Sequence, residues 1–151
     1  MIQLLLALSL VPQPSLAADS ADHIMMKSEE VKWMDAPTSL PKGAKTAVIY
    51  GDPSKEGPFA MRIKFPANYL IPPHTHPKDE VVTVISGTLL MGLGADAKAK
   101  PMNLPAGSFA VMKVGTQHFA KSEKEAVVQL NGVGPWGITY VNPADDPRTN
   151  K

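Results

Sequence analysis

Hydrophobic and polar residues alternate most clearly in FAMRIKF, residues 59–65, where Phe59, Met61, Ile63 and Phe65 interleave with Ala60, Arg62 and Lys64. A period of two turns one face of an extended chain toward a core and the other toward water, so the segment predicts a half-buried strand. EVVTVIS, residues 80–86, differs, because Val82 and Val84 fall on the side of Glu80 while Val81 and Ile85 fall on the other. A strand that is apolar on both faces implies either a second sheet or a subunit packed outside it.

Turn-forming clusters separate these runs at short intervals: GDPSKEGP at 51–58, PAN at 66–68, PPHTHPKD at 72–79, then SG, GADAKAKP, PAG, VGTQ, KSEKE and GVGPWG. Short strands fit between them. SADHIMMKSEEVKWM, residues 20–34, has room for a helical turn or two, and no longer helical period follows. The pattern predicts an all-β domain, either a sandwich or a small barrel.

Composition narrows this picture. A chain of 151 residues suits one domain, and its 15 prolines and 11 glycines favour strands and tight turns over helices. Fifteen Lys and Arg against 14 Asp and Glu give a net charge of +1, with no basic block and no interleaved aromatics, which argues against a nucleic-acid partner. Residues 1–18, MIQLLLALSLVPQPSLAA, carry no charged side chain, and their apolar run ends at prolines before it could span a bilayer. They read as a signal peptide, residues 1–17, with Ser15 and Ala17 forming a small-residue cleavage site, although no Lys or Arg precedes the apolar run. The expectation is an exported protein, periplasmic or secreted, with no membrane attachment after cleavage. The absence of cysteine then leaves stability to the core, to a metal or to a partner subunit.

The candidate chemistry lies in PPHTHPKDE, residues 72–80. Side chains two apart on an extended chain share a face, so His74 and His76 point the same way. The turn at Lys78 and Asp79 can bring Glu80 to the start of the next strand beside them. Two imidazoles and a carboxylate suit a divalent first-row ion such as Fe, Mn, Ni, Cu, Co or Zn better than calcium or magnesium. Asp79 reads as a solvated turn residue, since alternation turns it away from Glu80. Exposed loop histidines are the bland alternative for His74 and His76.

HTHPKDEVVTVISG, residues 74–87, resembles the first motif of the cupin superfamily: histidine, any residue, histidine, three residues, glutamate, six residues, glycine. GSFAVMKVGTQHFAKS, residues 107–122, resembles the second, with Gly107, Gly115 and His118 in register. Asn68 stands for the glycine that opens the first motif, Lys113 for the proline of the second, and Ser122 for its terminal asparagine.

The resemblance implies a double-stranded β-helix, the cupin jelly-roll barrel, over residues 46–142. Residues 18–45 would form an N-terminal lead-in and residues 143–151 a C-terminal tail. It also implies a homodimer and one divalent transition metal held by His74, His76, Glu80 and His118, with Glu80 as the ligand able to serve as a catalytic base. Four protein ligands on an octahedral ion leave two positions for a small-molecule substrate or ligand. The expected function is a mononuclear metalloenzyme, oxygenase-like or of isomerase or lyase type, with a non-catalytic module that binds or senses a metal or small ligand in the exported compartment as the alternative. His23 reads as an exposed lead-in residue. Trp136, Tyr140, Met61, Phe119 and Gln129 read as core or solvated strand residues and are left out of the expected site.

Overall fold

The computed structural model describes residues 23–149. The expected signal peptide, residues 1–17, therefore lies outside the described residues. Among the described residues, no helix is long and apolar enough to cross a membrane.

Among the described residues there are eleven strands: β1 (Met34–Asp35), β2 (Lys45–Tyr50), β3 (Gly57–Phe65), β4 (Tyr69–Thr75), β5 (Glu80–Ser86), β6 (Thr88–Leu93), β7 (Met102–Pro105), β8 (Phe109–Met112), β9 (His118–Ser122), β10 (Ala126–Gly134) and β11 (Thr139–Tyr140), with β3 and β5 spanning the two runs read as strands. They form two sheets, one ordered β1-β2-β3-β10-β5-β8 and the other β11-β4-β9-β6-β7, with antiparallel pairing throughout. Strands consecutive in sequence, such as β4 and β5, lie in different sheets, which is the jelly-roll connection that the motifs imply. Among the described residues, helix is confined to single 3-10 turns at Ser28–Glu30 and Pro143–Asp145.

The core lies between the inner faces. From the six-stranded sheet come Phe59, Met61, Ile63 and Phe65 of β3, Val82 and Val84 of β5, and Val128 and Leu130 of β10. Tyr69, Ile71, Leu89, Met91, Leu104 and Ala120 meet them from the other sheet. The alternation of β3 is thus realised as read, and β5 buries Glu80, Val82 and Val84 on one face. On the opposite face, Ile85 of β5 and Phe109 and Val111 of the edge strand β8 are exposed. This is the face on which the sequence places the expected second subunit.

Two of the motif departures have physical equivalents. Asn68 takes φ +58°, the left-handed region that asparagine tolerates better than most non-glycine residues. Ser122 is buried and its Oγ donates to the Pro66 carbonyl at 2.8 Å, tying β9 to the turn before β4.

The last part of the lead-in, from Met34 on, is part of the barrel wall. Met34 and Asp35 pair with Thr46 and Lys45. Beyond them the chain crosses the barrel mouth, where the Tyr140 hydroxyl donates to the Ser39 carbonyl at 2.8 Å and the Tyr69 hydroxyl donates to the Pro41 carbonyl.

Candidate metal centre

Position along β4 decides which side chains reach the centre. Tyr69 and Ile71 point into the core, and strict alternation would send Pro73 and Thr75 the same way. Instead the pairing with β9 shifts register between Ile71 and His74, so His74 faces inward opposite His118. Pro72 and Pro73 occupy the irregular stretch, where their missing N–H groups cost no ladder bond. His76 follows just past the strand end, two residues on and on the same side. Glu80 opens β5 in the facing sheet, and its carboxylate oxygens lie 3.5 Å from His76 Nε2 and 3.2 Å from His118 Nε2. All four residues are buried.

Each imidazole is held from behind. Nδ1 of His74 lies 2.7 Å from the Pro72 carbonyl, Nδ1 of His76 2.7 Å from that of Gly137, and Nδ1 of His118 3.0 Å from that of Thr116. A carbonyl oxygen can only accept, so in every case Nδ1 carries the hydrogen and donates it, and the Nε2 of each neutral ring is left with a lone pair. Backbone carbonyls behind metal-ligating histidines commonly set tautomer and ring orientation in this way.

The electrostatics follow from burial. Burial, with His118 and His76 close by, pushes His74 down to about 3. Burial also lowers His76, against the pull of Glu80. At His118 burial acts downward too, but the Glu80 carboxylate and the Thr116 carbonyl outweigh it and hold the ring above its ordinary value.

The residues fit a cation. One nitrogen from each of the three histidines lies within 4.8 Å of the others, close to the separation of about 4.4 Å at most that two ligands about 2.2 Å from a shared ion can have. His76 Nε2 and Glu80 Oε2 are buried without a hydrogen-bond partner among the described residues. With Nδ1 of His118 protonated, its Nε2 faces Glu80 acceptor to acceptor, an arrangement relieved by a proton or a metal ion between them. A void of about 30 Å³ adjoins His74, Glu80 and His118 on the core side, room enough for a water.

Asp79 is a turn residue, as read, but it does more than face solvent. Its carboxylate accepts from Lys113 Nζ and from the Val114 backbone N–H, each at 2.8 Å, while the Gly115 N–H donates to the His76 carbonyl at 3.1 Å. Lys113, standing where the second motif has proline, thus ties the loop that carries His118 to the turn that carries Glu80.

Above the centre opens a cavity of about 310 Å³. Here the reading of Trp136 as a residue outside the site is corrected, because it lines the cavity; Met61 is a core residue, as read, whose side chain also reaches the cavity wall. The Trp136 ring stacks on His76, centroids 4.4 Å apart and planes 18° apart, and is braced from another direction by Phe59. Tyr140 packs 6.1 Å from His74 but belongs to the core, as expected. Phe119 is buried against Gly92, away from the cavity, and Gln129 bonds to Arg62 and Asn131. Pro37, Ser39 and Leu40 of the lead-in form part of the wall, a contribution that alternation could not reveal because those residues belong to no regular element.

Two antiparallel sheets closed over a buried three-histidine centre, with both cupin motifs in place, define an RmlC-like cupin. More narrowly, the chain belongs to the family described as a domain of unknown function, DUF4437, whose pattern matches residues 49–138. It is 31% identical over 119 residues to nitrosourea synthase of Streptomyces achromogenes subsp. streptozoticus, covering 72% of this chain and only 23% of that enzyme. In structure it is similar to the polyketide cyclase RemF of Streptomyces resistomycificus, with TM-score 0.70, 14% identity and coverage of 83% and 89% of the two chains. It is also similar to a protein of Methylibium petroleiphilum provisionally described as an acetylacetone dioxygenase, with TM-score 0.63, 16% identity and coverage of 83% and 85%. At these identities the structural likeness concerns the fold.

Proposed function

We propose that the protein is a mononuclear metal-dependent enzyme in which His74, His76, Glu80 and His118 hold one divalent first-row transition ion, and that it carries out oxygenase-like or related metal-assisted chemistry on a small oxygen-containing organic molecule. The observation that carries this reading is the convergence of three imidazole lone pairs and a carboxylate in a buried spot with no donor between them. The names of the similar proteins span a synthase, a cyclase and a dioxygenase, so the reading rests on this chain's own site.

A bound ion would supply Lewis acidity toward an oxygen of the substrate. The chain's residues do the rest. The Pro72, Gly137 and Thr116 carbonyls keep the three rings from rotating, so ligand geometry is set before the ion arrives. Glu80, with one oxygen toward His76 and the other toward His118, can release one of them to take a proton from substrate as a general base. Apolar walls above the centre lower the local dielectric and so strengthen each of these interactions.

Oxygen uptake measured with the protein loaded in turn with Fe, Mn, Ni, Co and Zn, against a panel of small enols, phenols and diketones, tests this reading. The expected result is consumption that needs one metal and one compound class together, and that is lost in Glu80→Ala. Tight metal binding with no exchangeable water and no turnover by any ion would replace the enzyme with a carrier or sensor.

A further inference from the structure

The walls of the cavity carry information about charge that the metal centre alone does not. Apart from the proposed ligands, the polar side chains lining it are Ser39 and Ser54, and among the described residues no Lys or Arg does so. The remaining surface is built by residues such as Leu40, Met61, Ile63, Leu130, Trp136 and Ile138. A charge placed against such walls loses its hydration and finds no counter-ion, so it is strongly disfavoured. The floor is different. A divalent ion with Glu80 as its single anionic ligand retains a net charge of +1, which favours one negative oxygen at that point.

From these two features we propose that the cavity selects a compound with an uncharged, apolar body and a single ionisable oxygen head, such as an enol or phenol, and rejects compounds whose body bears a second charge, including sugar acids and phosphorylated molecules. At about 310 Å³ the cavity lies at the small end of ligand pockets, so the body is one or two rings in size. The head-group half of this inference rests on the metal reading above. The body half rests on the walls.

Isothermal titration calorimetry with 2-naphthol, naphthalene and 6-hydroxy-2-naphthoate, on metal-free and zinc-loaded protein, separates the two halves. Zinc is expected to tighten 2-naphthol at least tenfold and naphthalene not at all. In both forms 6-hydroxy-2-naphthoate is expected to bind at least tenfold more weakly than 2-naphthol. Ser39→Lys, or Ser54→Lys should the first variant not fold, places a cation on the wall and is expected to close most of that gap, read as the ratio of the two affinities within the same variant. Failure of zinc to bind would remove the metal reading and the head-group half, leaving the carboxylate comparison to judge the walls. Equal binding of 2-naphthol and 6-hydroxy-2-naphthoate to both forms would overturn the inference, as would a gap that neither lysine variant narrows.

Discussion

Glu80 Oε2 and His118 Nε2 sit 3.2 Å apart, and because the Nδ1 hydrogen of His118 is given to the Thr116 carbonyl, the gap between them is bridged by a second proton or by a metal ion. In the metal-free protein the Glu80 carboxylate favours that proton and holds His118 above its ordinary value. Glu80→Gln removes the carboxylate and with it this pull. We expect His118 of the metal-free variant to titrate at lower pH than in the unaltered protein, and the affinity for zinc to fall at least tenfold. NMR titration and calorimetric zinc binding read the two effects, and an unchanged His118 midpoint would contradict the pairing of these two groups.

The lead-in strap makes a second expectation. Tyr140 is buried and donates to the Ser39 carbonyl, holding the segment that walls the cavity. Tyr140→Phe removes that bond and leaves the ring in place. The expected loss is about 1 kcal/mol, with limited proteolysis accelerated within residues 37–43 and not in the strands. Unchanged cleavage there would mean that the strap is held by something other than this hydroxyl.

At the outer side of the five-stranded sheet, the Phe119 ring lies directly over Gly92, and a Cβ built on that glycine would sit 2.1 Å from the ring. A buried aromatic ring cannot move aside as the end of a flexible chain can. Gly92→Ala is expected to cost about 1–3 kcal/mol. Chemical denaturation would measure it, and a loss below about 0.5 kcal/mol would show that β6 and β9 can separate freely.

Much of this architecture is legible in the chain, for reasons that differ by element. The even alternation of Phe59 to Phe65 named its own core face, because β3 is regular from end to end. His74, His76, Glu80 and His118 were legible as a set through motif spacing. The irregularity that turns His74 inward was not, since only the β9 partner makes the register shift visible. Trp136 was missed because a residue inside GPWG has no periodicity, and its place against His76 is set by a loop that reaches across the barrel mouth. Ser39 and Leu40 were missed for the same reason. The turn cluster GVGPWG between two strand runs was the available signal.

Acid should act on the metal-free protein through His74. Its folded pKa, at about 3, lies below the ordinary 6.5, so the unfolded chain binds the proton first as pH falls. The stability contributed by the neutral ring is present above 6.5 and is lost progressively down to about 3. NMR titration should show the His74 ring still neutral at pH 5, and a His74 midpoint near 6.5 would contradict its burial.

The most direct test of the central claim is the metal content of the protein purified without chelator or affinity nickel, compared with that of His118→Ala prepared identically. The account predicts one first-row transition ion per chain, bound by His74, His76, Glu80 and His118, and a variant that folds with the same strand content but retains little or none. Equal, stoichiometric metal in both proteins would place the ion elsewhere, and no uptake of any divalent ion by the unaltered chain would show that the four side chains do not form a metal centre.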